Sequence, residues 1–432
     1  MLPTPHLACF ILYRVNNRLT PANLSKLGNC HYFMTEQNQL LRSLSLVEIS
    51  FYGIGTILGA GIYVLLGKVA NESGMATPSA FFLSAIIVSF SAYSYADMSR
   101  RFPSSAGEAV YIMEGLNSRQ LSALAGYTIS LGGIVSAATI ARGFTGYFAF
   151  FSALPPWVII ILLVTTLTSL AAWGVKQSIT MAVITTIVEI VGLLLVLVVG
   201  SDEIQGKEIP WREFLPSVDH SLVPVVSGAF LAFFAFIGFE DMVNMAEEVK
   251  NPQRNLPLGI AIALITSTLL YVAVAIVAIL TLPLTELASS DAPLALIIER
   301  NSTIPPELMA AISIIAIING ALIQIIMVSR VLYGMAAKNL APQALRSVHP
   351  YTRTPVKATL LTGLIVVSFA LWLPITTLAK TTSSLILVVF ALVNLSLLVL
   401  NCRENVKGIT GKLIPAIGTC LCISFLAFHL WS

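Results

Sequence analysis

The stretch Gly53-Ile54-Gly55-Thr56-Ile57-Leu58-Gly59-Ala60-Gly61-Ile62-Tyr63 decides how the whole chain is read. Four glycines interrupt a run that is otherwise apolar enough to cross a bilayer. Glycine costs about 1 kcal/mol relative to alanine in a helix interior. Backbone groups left unpaired in hydrocarbon cost several kcal/mol each, so an opened helix survives there only against protein or a water-filled cavity. A close helix–helix contact is the plainer explanation, because small residues also let backbones approach. A second interrupted run tips the balance toward opening. It reads Ser227-Gly228-Ala229-Phe230-Leu231-Ala232-Phe233-Phe234-Ala235-Phe236-Ile237-Gly238-Phe239-Glu240-Asp241, apolar and aromatic up to Gly238, with two carboxylates immediately after.

The composition around these runs is that of a membrane protein. Of 432 residues, 56% are apolar and 10% charged, against roughly 25% charged in soluble chains. The mean hydropathy is +0.87. Apolar windows predict eleven spans, at 44–66, 77–98, 121–151, 156–174, 178–200, 222–246, 257–282, 307–336, 356–374, 379–401 and 411–431. With the N-terminus cytoplasmic, the inner segments carry 17 lysines and arginines and the outer segments 4, with Arg142, Arg330 and Lys380 inside spans. That asymmetry satisfies the positive-inside rule. The expected location is the cell (plasma or inner) membrane.

Several function classes fall away. The net charge of +3 comes without a basic stripe, so no nucleic-acid partner is expected. The five cysteines form no CxxC pair, and the five histidines lie in loops or at chain ends with no HExxH motif. No metal or cofactor is expected, and a polytopic membrane enzyme lacks its nucleophile–base pair or ligand set.

The chain divides into a cytoplasmic extension at 1–40, a core at 41–401 and an additional C-terminal span at 402–432. Met34 is an alternative start. Within the core, two five-helix halves, about 44–200 and 222–401, each open with an interrupted span, and the two spans run in opposite directions. The expected fold is therefore an all-α polytopic membrane protein with five-plus-five inverted repeats and broken helices 1 and 6. Such folds bind substrate near the midplane. Half-helix N-termini attract a carboxylate there, while unwound carbonyls accept from an ammonium or bind a cation.

Carboxylates inside spans are functional candidates, since each costs on the order of 2.5–3.5 kcal/mol to insert. Glu189 lies mid-span in Thr185-Thr186-Ile187-Val188-Glu189-Ile190-Val191-Gly192. It reads as a proton carrier, neutral when buried and ionised when wetted, or as the fixed partner of Arg142, the one deep arginine. Glu240 and Asp241 read as caps or gates of the restarted helix, or as direct substrate contacts. Phe234, Phe236 and Phe239 are either packing or walls of a binding site.

Five segments together resemble the amino acid–polyamine–organocation (APC) superfamily of permeases. They are 53–63, Arg101-Phe102-Pro103-Ser104-Ser105-Ala106-Gly107-Glu108-Ala109-Val110-Tyr111, Phe233 to Glu240, Glu247-Glu248-Val249-Lys250-Asn251-Pro252-Gln253-Arg254-Asn255-Leu256-Pro257, and Ser329-Arg330-Val331-Leu332-Tyr333-Gly334-Met335-Ala336 continuing to Thr354-Pro355. The resemblance covers roughly residues 40–400. It implies alternating access for an amino acid or related amine. By position, the amides of Gly59, Ala60 and Gly61 would hold the substrate carboxylate. The carbonyl of Ile57 and those around Phe236 and Ile237 would take its ammonium group. Phe234 and Ala235 would face its side chain next to Gly238, and Glu240 matches the family's acidic residue beyond the second break. Two departures stand out. Glu189 occupies the position where several proton-coupled members carry lysine, and eleven spans are found where twelve are usual.

The resulting expectation is a secondary active transporter for an amino acid, neutral because no acidic cluster awaits a cationic side chain unless Glu240 reaches inward. Proton symport is the expected mode. Exchange and sodium coupling compete with it, the latter through carbonyls of span one and span-eight hydroxyls such as Ser329. A non-transporting amino acid sensor on the same fold is the alternative of another class.

Overall fold

The computed structural model describes residues 42–431, apart from 60, 105–106, 175–178, 207, 216–221, 338, 353 and 407. The expected extension at 1–40, Ala60 and Lys176 thus lie outside the described residues. Those described are almost entirely helical and contain no β-sheet. The long helices are α1 (Leu46–Leu58), α2 (Gly61–Ser73), α3 (Thr77–Arg101), α4 (Gly107–Leu116), α5 (Arg119–Phe148), α6 (Pro156–Trp173) and α7 (Ile179–Ile204). They continue with α8 (Val223–Phe233), α9 (Pro252–Thr281), α10 (Pro306–Ala337), α11 (Val356–Trp372), α12 (Ile375–Arg403) and α13 (Thr410–Trp431).

Local chemistry sets the helix ends. Ser45 caps α1 in a reciprocal box, its hydroxyl accepting from the Glu48 amide while its own amide donates to Glu48 Oε2 at 2.8 Å. Proline opens α3, α6, α8 and α9 within the first two positions, where its missing N–H costs nothing. α6 stops at Gly174, whose φ of +90° is the left-handed turn that ends many helices.

Nine helical stretches among the described residues are long and apolar enough to cross a membrane, and the first of them, Leu46–Arg101, holds α1, α2 and α3 together. α11 is a shorter apolar helix. Ten of the predicted windows fall on α-helix, the third ending at Phe148 rather than 151, and the sixth falls on α8 followed by two 3-10 segments. α5 packs along α10 and α12, α9 along α3 and α1, and α7 along α1 and α10. α1, α2 and α8 are thereby enclosed, and the residues around both interruptions are almost all buried. A short parallel bridge ties the entry to α1 to the exit from the second interruption: the Leu44 amide donates to Glu248 O and the Lys250 amide to Leu44 O.

Candidate functional site

The first interruption is brief. α1 ends at Leu58, and the Gly59 amide still donates to Gly55 O at 2.9 Å. That amide is committed inside the helix, which corrects the expectation that it cradles a carboxylate. Gly61 is the first described residue of α2, next to Ala60, which lies outside the described residues. A Cβ on Gly61 would stand 2.2 Å from Ala235 Cα, placing the two interruptions backbone against backbone. Gly53 and Gly55 serve the plainer purpose of close approach, against Met242 and Thr186.

The second interruption is longer. α8 gives way to a 3-10 turn at Phe234–Phe236, Ile237 is extended, and Gly238 takes φ +132° before a second 3-10 segment at Phe239–Met245. Non-glycine residues rarely adopt that φ. The Gly238 amide donates to Glu240 Oε2 at 2.8 Å, so Glu240 caps the bend. Its carbonyl accepts from Thr56 Oγ1 at 3.0 Å. One further hydroxyl joins the two regions: Tyr271 Oη lies 2.7 Å from Ile57 O and 2.9 Å from Ala235 O. The Ile57 carbonyl expected to take an ammonium therefore already has a donor.

Two adjoining cavities flank this junction. One is a narrow space of about 20 Å³ between Thr56, Ile57, Gly61, Phe234, Ile237 and Ile323. The other, about 10 Å³, is lined by Tyr95, Glu108, Glu240, Asp241 and Asn244. They share Ser136, Ile237, Asp241 and Gln324. Glu108, Glu240 and Asp241 are all under a tenth exposed. No ion pair among the described residues reaches any of the three, and Asp241 Oδ2 has no hydrogen-bond partner there. An acidic cluster is thus present, and the premise that none awaits a cationic side chain is corrected.

A family model described as amino acid permease matches residues 44–432, the whole region that contains both interruptions. The chain belongs to the amino acid permease family. This places it in the APC superfamily, and the permease is a polytopic membrane protein. It is 31% identical over 386 residues to a vacuolar cationic amino acid transporter of Arabidopsis thaliana, with 84% of this chain and 64% of that protein covered. The permease thus spans about three fifths of the length of the plant relatives it matches. Two Bacillus subtilis (strain 168) proteins match over most of both chains. A methylthioribose transporter is 28% identical, covering 91% of this chain and 89% of its own. The branched-chain amino acid permease BcaP is 29% identical, covering 85% and 83%. MhsT, solved in complex with L-phenylalanine, superposes with a TM-score of 0.62 at 13% identity, over 91% of this chain and 99% of its own, which establishes the shared fold.

The remaining predicted residues separate. Glu189 is fully buried in the permease; its Oε1 accepts from Asn319 Nδ2 at 3.4 Å and its Oε2 has no partner among the described residues. Arg142 does not serve it. Its Nη1 donates to the Ala370 carbonyl at 2.8 Å and to that of Leu371 at 3.4 Å, capping the last turn of α11. Helix C-termini leave four carbonyls open and attract cations, so this is a structural role, correcting the predicted coupling role and the Glu189 ion pair. Phe234 lines the first cavity, but Phe236 packs edge-on against Tyr271 and Phe239 against Tyr95 and Phe390. The Ser329 hydroxyl donates to Ile326 O within its own helix.

Three contributors were missed in the sequence. Tyr271 carried a signal, since a tyrosine amid the apolar run Leu269-Leu270-Tyr271-Val272-Ala273 needs a hydroxyl partner when buried. Asn319, an amide in mid-span, carried the same kind of signal. Glu108 carried less, because it lies in a motif between windows, where a carboxylate is ordinary.

Proposed function

We propose that the permease is a secondary active transporter that moves an amino acid by alternating access, coupled to protons through Glu189. The observation that carries this is the junction of the two interruptions. The backbones of Gly61 and Ala235 meet there, and the carbonyls of Ile57 and Ala235 converge on the one Tyr271 hydroxyl, so peptide groups are gathered where a zwitterion could be gripped. The assignment of Gly61, Ala235, Phe234 and Ile237 to the substrate follows from this, with eleven spans, halves at about 44–200 and 222–401, and the N-terminus inside the cell membrane. Glu189 supports the coupling role through its full burial and its unpartnered oxygen.

The walls nearest the junction, Ile140, Phe234, Ile237 and Ile323, favour a neutral side chain. A second reading, a basic side chain, is favoured by Glu108, Glu240 and Asp241 in the adjoining cavity. Relatives of both kinds are named above. Radiolabelled uptake into proteoliposomes decides, using leucine, phenylalanine, lysine and arginine with and without an imposed pH gradient. Leucine or phenylalanine uptake without lysine or arginine uptake supports the first reading, and the converse supports the second. Glu189→Gln should abolish gradient-driven uptake while sparing exchange; unchanged gradient-driven uptake would remove Glu189 as the carrier.

A further inference from the structure

Carbonyls from both interruptions reach a partner outside their own helices. Two of them, Ile57 O from α1 and Ala235 O from the turn after α8, converge on one hydroxyl, that of Tyr271 on α9, at 2.7 and 2.9 Å. Tyr271 is fully buried, and its ring is held between Phe81 and Phe236, with ring centroids 5.7 and 5.2 Å away. A phenol has one proton to give, so two acceptors share one donor. An ammonium group has three. The backbones are already in contact at Gly61 and Ala235, so a group reaching both carbonyls must take the position the hydroxyl holds.

We propose that the Tyr271 hydroxyl is an internal surrogate for the substrate ammonium group, satisfying both carbonyls while the carrier travels unloaded and yielding them when an amino acid binds. This rests on the transport reading above and adds a role for α9 that neither interruption supplies. Without such a donor, the unloaded carrier would have to reorient with the link between the two carbonyls and α9 broken. With substrate aboard, the ammonium replaces it. Tyr271 is thus a positioning residue for the return step, and it competes with substrate for two acceptors.

Tyr271→Phe separates the possibilities, because net uptake needs the unloaded return and exchange does not. In proteoliposomes, net uptake by Tyr271→Phe should fall at least about tenfold while exchange stays within about threefold of wild type. Its substrate dissociation constant should tighten roughly two- to tenfold, the range expected for one lost competing hydrogen bond. A merely structural tyrosine would lower both fluxes together. That result, or unchanged net uptake, overturns the proposal. If Tyr271→Phe does not fold, 3-fluorotyrosine at position 271, a stronger donor of similar size, should weaken substrate binding; unchanged or tighter binding refutes the idea. Failure of wild-type protein to move any amino acid would instead count against the transport reading.

Discussion

The two interruptions solve the same problem by opposite means. At the first, helical bonding persists through Gly59 and the chain is again helical at Gly61, so little of the described backbone needs repair. At the second, bonding loosens across Phe234–Met245, and three side chains repair it. Glu240 accepts from the Gly238 amide, Thr56 donates to the Gly238 carbonyl, and Tyr271 donates to that of Ala235. Two of those repairs come from outside the second helix. A short interruption can rest on glycine alone, whereas a long one needs borrowed hydrogen bonds, since each unpaired backbone group in a dry interior is costly.

The sharpest test of this contrast is glycine replacement. Gly238→Ala meets a φ that side chains rarely adopt as well as the Thr56 carbonyl, whereas Gly61→Val at an ordinary φ drives into the backbone and side chain of Ala235. Strain at such a φ alone costs about 1–3 kcal/mol. Gly238→Ala is therefore expected to lower both thermal stability and uptake severely, and Gly61→Val to abolish substrate binding, read by direct binding assay. Normal binding by the valine variant would dissolve the junction as a site.

The next effect concerns the cap. Glu240→Leu leaves the Gly238 N–H buried without an acceptor, a loss of about 1–3 kcal/mol. Glu240→Gln keeps an acceptor oxygen and should unfold near the wild-type temperature in detergent. Equal stability of the two variants would mean that the bend does not depend on the cap. The smallest effect belongs to Thr56→Val, which removes one cross-break bond worth about 1 kcal/mol, or roughly fivefold in affinity. A larger loss there than in Glu240→Leu would invert the ranking of the repairs.

Much of this was legible beforehand because insertion energetics act locally. A window of apolar residues identifies a helix, and clustered glycines or carboxylates inside one mark where it must open. Gly238 and Glu240, which make the second bend and its cap, were legible that way. Arg142 was misread for a physical reason: a deep arginine needs acceptors, but sequence cannot distinguish a carboxylate from the open carbonyls at the end of α11. The acidic cluster was missed because Glu108, in a motif between windows, lies over a hundred positions from Glu240 and Asp241, and only packing brings them together.

By itself the sequence determined the membrane class, the helices and the two places where they open, since these depend on the transfer cost of neighbouring groups. Only the tertiary structure decided who repairs each opening. The Tyr271 hydroxyl serves acceptors 214 and 36 residues away, and such pairings arise from helix packing that no local pattern encodes.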